Sequence, residues 1–164
     1  MTWSHILATF FGTGHLRPAP GTWGSLAALP AGWLLHVSGG PVLLAITTLM
    51  AFAIGWWATT LETKGKDDHD PSEIVIDEVV GQWIAILPLS IGATHTGAPI
   101  TALWPGWIAA FVLFRFFDIT KLGPIGWADR RNDALGVMLD DVIAGVFAAI
   151  GVLALAWVAH GGAS

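Results

Sequence analysis

Long apolar segments alternate with short polar segments along this chain of 164 residues. Residues 18–61, 79–114 and 142–164 contain no charged side chain, and a helix that crosses a membrane needs about 20 such residues. The first segment is long enough for two helices and is interrupted by Ser-Gly-Gly-Pro at 38–41. The pattern predicts helices at roughly 22–37, 42–62, 76–92, 103–121 and 137–159. The first is short and contains Pro30, so a re-entrant or interfacial segment is an alternative to a full crossing there.

The N-terminal residues predict a short helix that lies in the membrane interface. Trp3, Ile6, Leu7 and Phe10 recur at helical spacing. Residues 1–11 lack the basic start and the long apolar run of a secretory signal, so we expect them to be retained. No linker or strict repeat divides the chain. We therefore expect one all-α domain over residues 1–164, a polytopic membrane helix bundle of four to five helices with a short interfacial N-terminal segment.

The charged residues are few and confined to short stretches. They make up 12% of the chain, against about 25% in soluble domains. All except Arg17 lie within 62–78 and 115–141. If the helices alternate in direction, every charged loop falls on one membrane face, and the positive-inside rule places that face in the cytoplasm. The net charge of −5 and the absence of a lysine-rich run argue against nucleic acid as a partner.

Two adjacent acid pairs, Asp77–Glu78 and Asp140–Asp141, begin predicted helices. A carboxylate at a helix start gains about 0.3–1 kcal/mol from the helix dipole, so a capping role is one interpretation. Adjacent residues point about 100° apart, however, so capping explains one acid of each pair. With Asp118 at the end of the intervening helix, up to five carboxylates would converge, and their repulsion would require a cation. Carboxylate oxygens suit Mg²⁺, Mn²⁺ or Ca²⁺.

Basic residues near these acids predict a phosphate site. Arg115, Asp118 and Lys121 share one helix face by their spacing, and arginine binds phosphate with two parallel hydrogen bonds. For Arg130 and Arg131, salt bridges or lipid head groups are equally good partners.

Two further segments carry weaker signals. Pro-Gly-Thr-Trp-Gly-Ser at 20–25 predicts a turn into a helix that Thr22 or Ser25 caps, with free N–H groups that could bind phosphate. It lacks the Gly-Lys-Ser/Thr of a nucleotide-binding loop. His69, among the acids at 67–70, is better explained as a solvated loop residue than as a zinc ligand. The chain contains no cysteine, which excludes disulfides and thiolate metal sites.

Four motifs in order, spanning about residues 12–150, resemble the phosphatidylglycerophosphatase A family. They are residues 14–25 ending in Pro-Gly-Thr-Trp-Gly-Ser, Asp70-Pro71 followed by Ile-Val-Ile-Asp-Glu-Val-Val-Gly at 74–81, Phe-Arg-Phe-Phe-Asp at 114–118, and Gly-Val-Met-Leu-Asp-Asp at 136–141 with Ala144-Gly145. The resemblance implies a Mg²⁺-dependent lipid phosphatase of the bacterial inner membrane. Its reaction would convert phosphatidylglycerophosphate to phosphatidylglycerol and phosphate.

The residue patterns and the resemblance together give one hypothesis for the site. Asp70 is a candidate metal ligand or general base, with Glu73 a weaker candidate, and the attacking group is either water or an aspartate. The metal ligands and catalytic acids would be Asp77, Glu78, Asp118, Asp140 and Asp141, and the phosphate ligands Arg115, Lys121, Thr22 and Ser25.

The chain departs from the family pattern at two places. It has Lys-Leu-Gly-Pro at 121–124 where the family usually has Lys-Pro-x-Pro, and Asp-Ala-Leu-Gly at 133–136 where the family usually has Gly-Gly-x-Gly. Both changes affect the loop beside the acids and leave the acids in place.

Two other functions compete with this hypothesis. A lipid phosphotransferase also uses clustered aspartates and Mg²⁺, although such enzymes carry a longer Asp, Gly and Arg motif. A transporter of divalent cations could use the acid pairs as its transport site, but acids near mid-bilayer and inverted repeats would then be expected.

Overall fold

The computed structural model describes residues 2–66, 68 and 70–161, except for the side chain of His160. About 81% of the chain is helical, and the described residues contain no strand. The predicted all-α membrane bundle is therefore confirmed. The helices are α1 (Trp3–Ala8), α2 (Pro20–Thr63), α3 (Ile76–Thr96), α4 (Trp104–Thr120), α5 (Pro124–Asp129) and α6 (Ala134–His160), with short 3₁₀ turns at Thr13–His15 and Ile100–Leu103.

Helix α2 is two membrane-length helices joined at a sharp break. Its 44 residues include Gly39 and Gly40 in non-helical conformations. Gly40 has a φ of +64°, which glycine adopts without the steric cost of a side chain. Pro41 then starts a new helix, a position that suits proline. We call residues 20–38 the first arm and residues 41–63 the second arm. They match the two helices predicted at 22–37 and 42–62.

The first arm runs the length of α3, and the second arm returns beside it. In the first half of α3, the indole Nε1 of Trp83 donates a hydrogen bond of 2.8 Å to a carbonyl of the first arm. In the second half, Nδ1 of His36 lies 2.7 Å from Oγ of Ser90. Gly55 of the second arm then packs against the first residue of α3. The first arm is therefore a continuous helix of membrane-spanning length despite Pro30, and whether it crosses fully or re-enters stays a prediction.

The five long segments alternate in direction and gather the charged residues at one end. Helices α3 and α6 begin at the end where α2 both begins and finishes, and α4 finishes there. We call it the charged end, because every charged residue that the structure describes lies there or in the loops that join helices there. The one-sided charge distribution is confirmed, whereas the membrane face that this end occupies stays a prediction.

Two short helices complete the charged end. Helix α5 was not expected from the sequence. It begins with a proline, packs against α6 and buries Ile125 and Ala128. Helix α1 forms where a short helix was expected, with Thr2 as its N-cap. It leaves Trp3 79% exposed, an arrangement that suits the membrane interface, although interfacial binding stays a prediction.

Helix α3 is the most buried of the long helices and lies at the centre of the bundle. It contacts α2, α4 and α6. It approaches α6 closely where a Cβ on Gly145 would fall 2.4 Å from the carbonyl oxygen of Gly81. Because Gly81 follows one acid pair by one turn and Gly145 follows the other by one turn, this crossing sets the distance between the two pairs.

Candidate active site

The first acid pair lies in the first turn of α3. Asp77 is 6% exposed and Glu78 is half-buried. Oδ1 of Asp77 and Oε2 of Glu78 are buried and have no hydrogen-bond partner among the described residues. The positive end of the helix dipole favours both acids. That interaction does not replace the hydrogen bonds that each oxygen loses on leaving water.

The second acid pair lies further into its helix than expected. Helix α6 begins at Ala134, and Asp133 is its N-cap, accepting a hydrogen bond of 2.6 Å from the main-chain N of Gly136. Asp140 and Asp141 therefore lie in the second turn, and the expectation that this pair opens the helix is wrong. The capping interpretation does not apply to them, because Asp133 already fills that position.

Carboxylates from the two pairs meet. Asp77, Glu78 and Asp141 each offer an oxygen, and these three oxygens lie within 4.8 Å of one another. Asp141 is 2% exposed, and its Oδ1 has no partner in the part of the chain that the structure describes. Asp140, 4% exposed, accepts a hydrogen bond of 2.9 Å from the main-chain N of Asp141. The predicted convergence of α3 and α6 acids is present in the structure.

Asp118 joins the cluster from α4 through two cations. It lies at the C-terminal end of its helix, where the dipole disfavours an acid. Its carboxylate compensates by pairing with Nη1 of Arg115 at 2.5 Å and with Nζ of Lys121 at 3.1 Å. All three side chains are at least partly buried. Asp118 is therefore held by its neighbours rather than by its helix.

Lys121 links α4 to α6. Its Nζ bonds the carboxylate of Asp140 and lies 3.6 Å from Oδ1 of Asp129. Burial lowers the pKa of Lys121, but the nearby carboxylates of Asp141, Asp140 and Asp118 raise it more, so that its pKa lies above the usual range. Lys121 therefore stays protonated and balances part of the negative charge of the cluster.

The start of α2 packs against the site, next to Glu78 and Arg115. A Cβ on Gly21 would fall 2.0 Å from Oε1 of Glu78 and 3.2 Å from Nη1 of Arg115, which itself lies 3.9 Å from Oε1 of Glu78. A side chain at position 21 would collide with both. The glycine thus lets the main chain of the first arm approach the acid and the guanidinium directly.

Thr22 and Ser25 have positions that differ from those expected. The helix begins at Pro20, and its N-cap residue Ala19 has no side-chain cap. Both hydroxyls therefore lie inside the helix, and the expectation that one of them caps it is wrong. Ser25 is fully buried and donates to the carbonyl of Gly21 at 2.8 Å. Thr22 is half-buried in the first turn. Their predicted phosphate contacts stay predictions.

The loop between α2 and α3 brings Asp70 near the cluster. The main-chain N of Asp70 donates to Oδ1 of Asp68 at 3.0 Å. Desolvation of its carboxyl raises the pKa of Asp70, Lys121 lowers it and Asp129 raises it further, with a net increase. Asp70 is exposed and interacts electrostatically with Lys121, and its role as a metal ligand or base stays a prediction.

The remaining candidates have no contact with the acid cluster among those the structure records, or lie outside the described residues. Glu73 is half-buried. Arg131 pairs with Asp133 at 3.0 Å, the salt-bridge alternative considered for it, and Arg130 is exposed. His69 lies outside the described residues.

Gln82 is a polar residue that the sequence analysis missed. It lies one turn beyond Glu78 on α3 and is fully buried. Neither its amide oxygen nor its amide nitrogen has a partner among the described residues. An amide in the apolar part of a crossing helix is a recognisable signal, because polar groups at that depth are costly and usually functional.

The donor set fits a hard divalent cation. Mg²⁺ and Ca²⁺ bind carboxylate oxygens, and Asp77, Glu78 and Asp141 each leave a buried oxygen without a partner. Burying unpaired charge in this way is expensive unless a counterion compensates it. A cation among these oxygens would satisfy all three at once.

The chain is similar in sequence to a known protein family. The sequence model of the family "PgpA: Phosphatidylglycerophosphatase A" matches residues 6–156. Phosphatidylglycerophosphatase A of Haemophilus influenzae is 40% identical over 153 residues, which cover 92% of this chain and 87% of the relative. Phosphatidylglycerophosphatase A of Escherichia coli is 38% identical over 147 residues, covering 88% and 78%.

A third relative carries a different name. A Bacteroides thetaiotaomicron protein, provisionally named as a phosphatidylinositol-3-phosphatase, is 37% identical over 166 residues, covering 93% of each chain. No solved structure matches this chain. The family match covers nearly all of the chain, including every helix that contributes to the acid cluster. The chain belongs to the phosphatidylglycerophosphatase A family.

Proposed function

We propose that this protein is a lipid phosphatase that hydrolyses the terminal phosphate ester of phosphatidylglycerophosphate, releasing phosphatidylglycerol and phosphate. The family match and the names of its relatives support this substrate. The observation that carries the proposal is the meeting of carboxylates from α3 and α6 with Arg115 and Lys121 at one end of an apolar bundle. A lipid in the same membrane would present its phosphate at that depth.

In this proposal, Asp77, Glu78 and Asp141 would hold Mg²⁺, with Asp118 and Asp140 as further candidates beside Lys121. When bound, Mg²⁺ neutralises phosphate charge and makes a coordinated water more acidic. The five acids were chosen from the sequence as ligands, and the three with orphaned oxygens are the strongest candidates.

Arg115 is the main phosphate ligand in this proposal. Its Nε is buried and has no hydrogen-bond partner among the described residues, while Nη1 is held by Asp118. The guanidinium is thus fixed in place with donor capacity left over, which suits bidentate binding of a phosphate. Lys121 already contacts Asp118, Asp140 and Asp129, so it mainly balances charge. The half-buried hydroxyl of Thr22, next to Gly21, is a second phosphate donor.

The attacking group is water or an aspartate, and an experiment separates the two. Attack by water needs a base, for which Asp70 is the candidate near Lys121. Attack by an aspartate oxygen would transfer the phosphoryl group to the protein before water releases it. Rapid acid quench of a reaction with ³²P-labelled lipid shows labelled protein in the second case and none in the first.

The proposal places the charged end in the cytoplasm and the protein in the bacterial inner membrane. The confinement of the basic residues to that end supports this orientation. The chain has no cysteine, so single cysteines can be introduced without background. In intact spheroplasts, an impermeant maleimide should label Thr96→Cys at the opposite end and not Lys66→Cys at the charged end. The reverse labelling would contradict the orientation.

The function is tested by phosphate release from phosphatidylglycerophosphate in detergent micelles. We expect release with Mg²⁺ and none with excess chelator. Asp141→Asn should abolish release while folding normally, and the exposed Asp129→Asn should retain most of it. Full activity in chelator would contradict the metal site.

Three further assays test the alternatives. Faster release from phosphatidylinositol 3-phosphate would assign the substrate of the Bacteroides relative's name instead. Transfer of the phospho-alcohol to a lipid acceptor, with no free phosphate, would assign the phosphotransferase. Flux of a divalent cation through proteoliposomes without hydrolysis would assign the transporter.

A further inference from the structure

A second polar cluster lies at the charged end, on segments that do not contribute to the acid site. Its centre is Glu62, near the end of the second arm. Oε1 of Glu62 accepts hydrogen bonds from Ser4 at 2.5 Å and Thr2 at 3.3 Å. Oε2 lies 3.1 Å from Nδ1 of His5. Helix α1 is thereby fixed to the end of α2.

The same histidine faces a second one. Nε2 of His5 lies 3.1 Å from Nε2 of His15, in the 3₁₀ turn, and the two ring centroids are 5.1 Å apart. A carboxylate only accepts hydrogen bonds, so Glu62 places the proton of a neutral His5 on Nδ1. The lone pair of His5 Nε2 is then directed toward His15. This arrangement leaves two ring nitrogens next to each other, 3.1 Å apart.

We propose that His5 and His15 bind a divalent transition-metal ion of the zinc type through their Nε2 atoms, with Glu62 orienting His5. Zn²⁺ binds histidine nitrogens at about 2.0–2.1 Å. Two such bonds at an angle of about 100° place the nitrogens about 3.1 Å apart, which is the separation in the structure. A carboxylate on the other ring nitrogen of a ligating histidine is the usual support for such a site.

The site is distinct from the acid cluster in position and in chemistry. Its donors are imidazole nitrogens, which suit zinc, copper or nickel, whereas the acids suit magnesium or calcium. His5 is 24% exposed at its side chain and His15 is exposed, so water can complete the coordination. The ion would tie together α1, the 3₁₀ turn and the second arm. Helix α1 and the 3₁₀ turn precede Pro20, where the first arm begins beside the active site.

Isothermal titration of the full-length, untagged protein in detergent tests the proposal. Zn²⁺ is titrated with saturating Mg²⁺ present, so that the acid cluster is occupied by the harder ion. We expect one Zn²⁺ per chain in the wild type and at least tenfold weaker binding in His15→Ala. Glu62→Gln should weaken binding about tenfold, the lower range for loss of a residue that orients a ligand. His95→Ala, at the opposite end of the bundle, should bind as the wild type does.

Two measurements distinguish metal binding at the histidines from binding at the acid cluster and from unfolding of a variant. Co²⁺ should give a visible absorption band in the wild type and in Asp141→Asn, and none in His5→Ala or His15→Ala. Because His15 is exposed, its replacement leaves the bundle folded, and a thermal unfolding scan checks this. Absence of Zn²⁺ binding by the wild type would show a simple hydrogen bond between two histidines and overturn the proposal. Unchanged binding by His15→Ala, or its loss in Asp141→Asn, would do the same.

Discussion

The main chain of Gly145 in α6 lies against the main chain of Gly81 in α3, with no room for a side chain between them. A Cβ on Gly145 would be 2.4 Å from the carbonyl oxygen of Gly81, and a Cβ on Gly81 would be 2.6 Å from the carbonyl oxygen of Asp141. Atoms of a neighbouring main chain cannot turn away as a side chain can. The contact between these two glycines therefore determines how closely the two acid pairs approach.

Replacing Gly145 by alanine should separate α3 from α6. We expect a loss of about 1–3 kcal/mol of stability, the usual cost of an extra methyl group in a packed interior, and a larger loss of Mg²⁺ affinity. Thermal unfolding and Mg²⁺ titration measure the two effects. Gly92→Ala is the matched control, because a Cβ there meets nothing within 4 Å. It should be neutral or stabilising by about 0.5–1 kcal/mol, and equal effects of both variants would contradict the packing argument.

Asp118→Asn should reduce phosphatase activity by about 10- to 100-fold, the range for losing a group that orients a site. The carboxylate of Asp118 holds both Arg115 and Lys121, and an uncharged amide leaves these cations less well balanced. A lower melting temperature should accompany the loss. Asp129→Asn serves for comparison, since Asp129 is exposed and lies 3.6 Å from the same lysine. If Asp129→Asn were the more damaging change, Asp118 would not be the anchor of the two cations.

Gln82→Met should stabilise the metal-free protein while lowering its activity. The buried amide has no partner among the described residues, and an unsatisfied buried polar group costs about 1–3 kcal/mol. Ser90→Ala is the contrasting control. Ser90 is equally buried but bonds His36 at 2.7 Å, so its loss should destabilise the protein. Unfolding in chelator, followed by kinetics with Mg²⁺, separates the two properties. A destabilised Gln82→Met protein would mean that the amide has a structural partner.

Asp70→Asn should stabilise the metal-free protein at neutral pH, and the gain should vanish in acid. Desolvation and the carboxylate of Asp129 raise the pKa of Asp70, with Lys121 opposing them. A carboxyl with a raised pKa in the folded state destabilises that state above its folded pKa. It has no effect below the unfolded value of about 3.9, where both states are protonated. Denaturant unfolding in chelator from pH 3 to pH 8 measures the gain. A gain that increases toward acid would contradict the sign.

The crossing helices could be predicted from the sequence because their boundaries coincide with changes in hydropathy. The break at Gly39–Gly40 follows from two glycines and a proline in an otherwise apolar run. Helix α5 was missed because its six residues are too short for a periodic pattern. Its helical state depends on burying Ile125 and Ala128 against other parts of the chain. Such tertiary support cannot be read from the local sequence.

The acid pairs were found from the sequence because charge inside an apolar helix is rare. The exact position of each pair along its helix was not predicted. The hydrophobic pattern predicts that α6 starts at residue 137, whereas the helix begins three residues earlier at Ala134, with Asp133 as its N-cap, so Asp140 lies in the second turn. The role of Gly21 depends on a contact with Glu78, which is 57 positions away in the chain. Spacing along one helix predicts a shared face, but contacts between helices require the packing itself.

The fold-back of α2 also determines at which end of the bundle the later helices begin. Two arms contribute an even number of crossings before α3, so α3 starts on the side where α2 started. If the break at Gly39–Gly40 were removed and α2 crossed only once, α3, α4 and α6 would all be inverted relative to the N-terminal segment. The acids would remain together, but on the opposite side of the membrane from Gly21. A local kink between two glycines thus decides whether the first arm and the acid pairs meet in the same compartment.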